Sequence, residues 1–121
     1  MLGYMTLGAS DFERAKTFYR AVLAPLGAKP AMSGDRMELY SNGTGAMLGV
    51  CIPYDKGAAT PGNGVMPAIS ASSREVVDQV HAAALANGAT CEGPPGERMP
   101  TFYGAYFRDP DGNKICVYKM G

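Results

Sequence analysis

Two short stretches decide how this chain reads: Tyr4-Met5-Thr6-Leu7-Gly8-Ala9-Ser10 and Met66-Pro67-Ala68-Ile69-Ser70-Ala71-Ser72. Each alternates as a strand with one buried face does. Each runs into a segment of helical apolar period, Ala15, Phe18, Tyr19 and Val22 after the first and Val76, Val77, Val80 and Ala84 after the second. Each helical pattern is expected to stop at a glycine, in Leu26-Gly27-Ala28 and in Asn87-Gly88-Ala89, where a left-handed residue would close a helix end. The copies are offset by 62 residues at their start and 61 at their end. Ser10 with Glu13, and Ser72 with Glu75, have the three-residue spacing of a capping box, so both helices are expected to begin there.

Three strands should follow each helix. In the first copy Met37-Glu38-Leu39-Tyr40 turns at Ser41-Asn42-Gly43 into Ala46 to Ile52. In the second, Asp109-Pro110-Asp111-Gly112-Asn113 is a strong turn signal leading into Ile115-Cys116-Val117-Tyr118. Setting Gly43 against Gly112 places Met47 opposite Cys116. The predicted architecture is α+β: one domain over 1–121, with module one at 1–53, a Gly/Pro-rich linker at 54–63 and module two at 64–121. Two tandem β-α-β-β-β modules would then form a curved mixed sheet with a pocket between them. Glu92 to Pro100, with three prolines and two glycines, reads as a loop, either closing over a site or merely connecting.

Composition bounds the function. A chain of 121 residues with 46% apolar and 18% charged residues can build its own core. Eleven basic and eleven acidic residues, with no basic stripe, argue against nucleic acid and anionic membrane as partners. No apolar run reaches the roughly 18–20 residues of a membrane span, and the N-terminus lacks signal-peptide character. Cys51, Cys91 and Cys116, odd in number and without CxxC spacing, suit reduced thiols in the cytoplasm. Phosphate-loop, His-Glu-x-x-His and Gly-x-Ser-x-Gly motifs are absent, and the lone His81 gives no triad signal.

Alternation assigns faces. Leu7, Ile115 and Val117 are expected against the helices. Tyr4, Met47, Met66 and Cys116 are expected to form the floor of the concavity, with Phe102, Tyr103, Tyr106 and Tyr40 nearby and Arg98 able to meet an anion. His81 is expected at a surface or boundary, away from the floor, and Glu38 on an exposed face, although it is the nearest candidate base by strand register.

Several stretches carry a resemblance. They are Thr6-Leu7-Gly8-Ala9-Ser10-Asp11 with Phe12-Glu13-Arg14-Ala15, Phe18-Tyr19, Leu23-Ala24-Pro25-Leu26-Gly27, Gly62-Asn63-Gly64, His81 to Ala89, and Tyr106-Phe107-Arg108-Asp109-Pro110-Asp111-Gly112-Asn113-Lys114-Ile115. Over nearly its whole length the chain resembles the vicinal-oxygen-chelate superfamily of glyoxalase I, bleomycin-resistance proteins and extradiol dioxygenases. The resemblance implies the paired-module fold, frequent homodimers that sometimes swap modules, and a divalent metal held by His or Glu on the first and last strands of each module. At those positions this chain has Tyr4, Met66 and Cys116, with Met47 at the fourth, so no metal cofactor is expected. The resemblance also implies a choice of functions. One is a module that binds a small organic molecule between modules, as the resistance proteins do. Another is a lyase or dioxygenase-like enzyme with displaced ligands, or with metal-free acid–base chemistry at Tyr4 or Cys116. A third is a partner-binding or regulatory domain.

Overall fold

Both helices start one residue later than the capping-box spacing predicts. Asp11 caps the first, its carboxylate accepting from Arg14 N–H at 3.0 Å, and Ser73 caps the second, accepting from Val76 N–H at 3.2 Å. Glu13 and Glu75 therefore sit in the first turn, where a carboxylate favours the positive end of the helix dipole, but they close no box. The Ser10 hydroxyl instead donates to Asp111, 101 residues away.

The computed structural model describes residues 1–121. Its elements are β1 (Tyr4–Gly8), α1 (Phe12–Val22), a 3-10 turn at Ala24–Leu26, β2 (Lys29–Ser33), β3 (Met37–Ser41), β4 (Met47–Cys51), β5 (Ala68–Ser70), α2 (Arg74–Ala86), β6 (Thr90–Met99), β7 (Phe102–Arg108) and β8 (Lys114–Met120). This is the β-α-β-β-β module twice. Each module has its own mixed four-stranded sheet, ordered β1-β4-β3-β2 and β5-β8-β7-β6, with only the β1–β4 and β5–β8 pairs parallel. Residues 54–63 carry no regular element. Neither helix is long and apolar enough to cross a membrane.

The internal symmetry has more than one offset. Ala9 N–H donates to Cys51 and Ala71 N–H to Tyr118, so the strand–helix halves match 62 residues apart. The hairpins match 67 apart: Leu39 pairs with Gly49 as Tyr106 pairs with Cys116. The offset has dropped to 61 where β2 and β6 begin, Lys29 opposite Ser41 as Thr90 is opposite Arg108, so six extra residues fall in β6, which is a ten-residue strand with three register shifts and not the expected loop. Pro94 and Pro95 are tolerated there because β6 is an edge strand and the shifts relieve the ladder. The counterpart of Gly112 (φ 87°) is Gly45 (φ 70°), not Gly43, and both positions need the left-handed backbone that glycine supplies. Cys116 therefore corresponds to Gly49, two residues beyond Met47 and on the same sheet face.

One core serves both modules. Seventeen buried residues form a single cluster that joins Leu7, Tyr40 and Val50 of the first sheet to Ala105, Phe107, Ile115 and Val117 of the second through Phe18, Tyr19 and Val22 on α1 and Val77, Val80 and Ala84 on α2. Burying Phe18 or Val22 contributes roughly 1.5–3 kcal/mol each. The Phe18 ring stands edge-on to Tyr19 at 4.9 Å and 6.3 Å from Phe107. At the seam, the buried Asp109 carboxylate accepts from Tyr19 O–H of α1, from the Asp111 and Asn113 N–H groups of its own turn, and from the Asn113 amide. That amide also donates to Gly8 C=O at the end of β1.

Two sequence expectations are corrected here. Glu38 is 1% exposed and lies on the helix side of its sheet, held by both Arg20 nitrogens at 2.8 and 2.6 Å and by the Ser33 hydroxyl at 2.8 Å. A charged group at an inward strand position needs such a partner, and Arg20 supplies it from the last turn of α1. His81 is 6% exposed, one helical turn from Val77, with its edge toward the Phe107 ring and Nε2 unpartnered.

These buried polar groups generate two predictions. Tyr19→Phe removes a hydrogen bond to a charged acceptor and should cost about 2 kcal/mol in urea unfolding; an unchanged midpoint would show that the seam is not held there. Acid should destabilise the fold in two steps of the same sign. Burial lowers the His81 pKa below 6.5, so the unfolded chain takes up that proton first and stability falls as pH drops below about 6.5. The Arg20 and Ser33 hydrogen bonds hold the Glu38 carboxyl at about 2, so its contribution is present above 4.5 and lost as pH falls toward 2. In melts across pH, His81→Phe should flatten the upper step and Glu38→Gln the lower one; a wild-type profile in both variants would refute the assignment.

Candidate functional site

Because both sheets turn one face into the shared core, the opposite faces look outward. Two modules with open faces turned toward each other within one chain is therefore not what the structure has. The predicted floor is divided. Tyr4 and Met47 are direct partners on β1 and β4, on the outer face of the first sheet. Cys116, Tyr106 and Phe102 are on the outer face of the second. Met66 precedes β5 and is 40% exposed, so it lies beside the second face without being part of a strand. Tyr40 and Tyr103 point the other way: Tyr40 joins the core, and the Tyr103 hydroxyl donates to Asp78 of α2.

The first outer face consists of Tyr4, Thr6 and Gly8 on β1, Met47, Gly49 and Cys51 on β4, Met37 and Leu39 on β3, and Met32 on β2. It carries no acid, and its one charged strand residue by register is Lys29, opposite Ser41 at the β2 edge. Tyr4 is 53% exposed. A Cβ at Gly49 would overlap Leu39 Cδ2 and stand 3.0 Å from Glu38 C=O, so a side chain there would require Leu39 to move. Sequence reading missed Leu39; the signal was Gly45 as the alternative turn glycine.

The second outer face is aromatic at one end and cationic at the other. Phe102 and Tyr118 stack at 5.2 Å, 7° from parallel, and the Phe102 ring lies over the bare backbone of Gly104. Tyr106 pairs across the strands with Cys116. The Arg98 guanidinium sits 5.5 Å and the Lys114 ammonium 5.8 Å from the Tyr106 ring centroid. Lys114 was not singled out from sequence, although it shares the parity of Cys116 and Tyr118. Cys116 is 1% exposed, and burial pushes its thiol pKa up despite the neighbouring Tyr106 hydroxyl and cations. Burial also raises the Tyr106 pKa, so both groups are protonated at neutral pH.

A cleft of about 540 Å³ does lie between the modules, on another side of the molecule. It is lined by Met5, Leu23, Leu26 and Leu48 of module one and Pro67 to Ser72 around β5, and Met47 is the only predicted floor residue that reaches it. β1 and β5 are both edge strands, and each is paired on one side only.

The architecture can be set beside known proteins. No protein of curated function matches the chain. Among solved structures, a glyoxalase/bleomycin resistance protein from Albidiferax ferrireducens is 40% identical, with a TM-score of 0.92 over 100% of this chain and 99% of that one. A glyoxalase/bleomycin resistance protein/dioxygenase family enzyme from Burkholderia phytofirmans shares the fold at 20% identity, with a TM-score of 0.76 over 98% of both chains. A lactoylglutathione lyase from Agrobacterium tumefaciens shares it at 21% identity, with a TM-score of 0.72 over 98% of this chain and 92% of that one. The sequence profile of the Glyoxalase/Bleomycin resistance protein/Dioxygenase superfamily matches residues 1–117, and the chain belongs to that superfamily.

Proposed function

We propose that this protein binds a small organic molecule between the outer face of module one and the outer face of module two of a second copy, without the divalent metal typical of its superfamily. The carrying observation is that the two halves of the site, Tyr4 with Met47 and Tyr106 with Cys116, lie on faces that one chain cannot bring together. A twofold dimer repeats one contact twice and makes two such pockets. It also covers Tyr4, Met32, Met66, Met99 and Met120, which a single chain leaves exposed, and shields the free edges of β1 and β5.

The donor chemistry supports a binding role over metal catalysis. The positions to which the superfamily assigns metal ligands hold a phenol (Tyr4), a thioether (Met66), a buried protonated thiol (Cys116) and, in the corrected register, the side-chain-free Gly49. Hard divalent ions take oxygen and imidazole donors, so this set does not fit one. No three His, Cys, Asp or Glu side chains of the chain converge. Metal-free acid–base turnover by Cys116 is the weaker reading, because a buried thiol with a raised pKa is a poor nucleophile or base. Three unpaired cysteines accord with a reducing cytoplasm.

Light scattering should give twice the 12.7 kDa chain mass, and Met47→Glu, which sets a charge on the apolar face, should shift the mass to a monomer. In a melt screen of small organic molecules, a ligand at a hundred times its Kd stabilises by about 2.7 kcal/mol. That shift should persist in EDTA. A monomeric wild type, or stabilisation that needs added metal, would overturn the proposal.

A further inference from the structure

The second outer face is built for charge as well as for apolar contact. Arg98 lies on a bed of bare backbone. Its Nη2 is 3.1 Å from where a Cβ on residue 93 would stand, and its Nη1 is 3.0 Å from the same point on residue 96. Both positions are glycine, in Gly93-Pro94-Pro95-Gly96-Glu97-Arg98, and the two prolines between them restrict the backbone. Nη2 donates to Pro94 C=O at 2.6 Å, and the guanidinium lies by the Tyr106 ring. The head group is thus fixed from below and from one side. No carboxylate pairs with it, and its remaining N–H groups are left for a ligand. Lys114, near the same ring, also forms no ion pair.

The balance of charge over the two faces is one-sided. The first face has no acid, and its one charged strand residue by register is another cation, Lys29 at the sheet edge. On the second, Arg108 is already neutralised by Glu92 at 2.7 Å, which leaves Arg98 and Lys114 as two cations without an acid. Closing two such faces on each other would desolvate both cations, an outcome that needs a compensating anion. Beside them lies a flat apolar platform, Phe102 stacked on Tyr118 next to the bare Gly104.

We infer that the ligand is an organic carboxylate with a flat or aromatic body, its carboxylate held by Arg98 and Lys114 and its body resting along Tyr106 toward Phe102 and Tyr118. A guanidinium fixed in place suits a carboxylate because the two can make parallel hydrogen bonds. This inference rests on the pocket proposed above and adds the chemical class of its occupant.

The test uses the intact protein and two probes of equal shape, benzoate and benzamide, followed by NMR titration. Benzoate should bind saturably, move the Arg98 side-chain and Tyr106 signals, and bind at least tenfold more tightly than benzamide. Added salt should shrink that advantage, since screening weakens ionic contacts. Arg98→Gln should bring benzoate down to the level of benzamide while leaving benzamide binding and the melting temperature unchanged. Lys114→Gln should weaken benzoate by a smaller factor. If both probes bind this face equally well, the carboxylate inference falls and the pocket stands. If benzoate shifts only residues of the Leu23–Ile69 cleft, or neither probe shifts any residue of this face, both fall.

Discussion

A single buried carboxylate sets the arrangement of everything else. Asp109 closes the β7–β8 turn through its own backbone neighbours and, in the same act, takes the Tyr19 hydroxyl from the other module. Asn113 extends the bond to the end of β1. A turn that in isolation only reverses the chain is thereby a clasp between the two halves. It ties α1 to the β7–β8 turn of the other module, and the hydrophobic cluster fills the space between the two helices and sheets. Burial of the clasp makes each bond costly to lose, because no water replaces the missing partner.

The clasp decides where function can reside. With the helices packed on each other inside the chain, the two sheets present their other sides outward. The first is methionine-rich and has no acid, and methionine side chains adapt to varied partners. The second carries the aromatic stack and two unneutralised cations. Neither makes a closed pocket alone, and their characters complement each other. The superfamily's fold is retained here.

Much of this was legible in the residues. The repeat, the helix faces and the alternation of β1 and β8 follow from periodicity, since one face of each had to be buried. What was not legible has physical causes. Gly43 and Gly45 both suit a turn, and only pairing across the sheet selects Gly45. Glu38 reads as exposed until Arg20, 18 residues away, is seen to meet it. The Gly-Pro-Pro-Gly run reads as a loop, because sequence does not announce that an edge strand with bulges forgives proline. Arg98 was noticed as a charge, but its glycine bed depends on tertiary placement. The direction in which the open faces point depends on module docking, which no local pattern encodes.

The central claim is that the site is shared between two chains. It is tested most directly by isotope-filtered NOE spectroscopy on a mixed sample, one chain labelled at its methionine methyls and its partner unlabelled. The account predicts cross-peaks from Met47 of the labelled chain to the Tyr106 or Phe102 rings of the unlabelled one. Their absence in a sample shown to contain mixed dimers, or a contact from Met47 to those rings only within one chain, would contradict it.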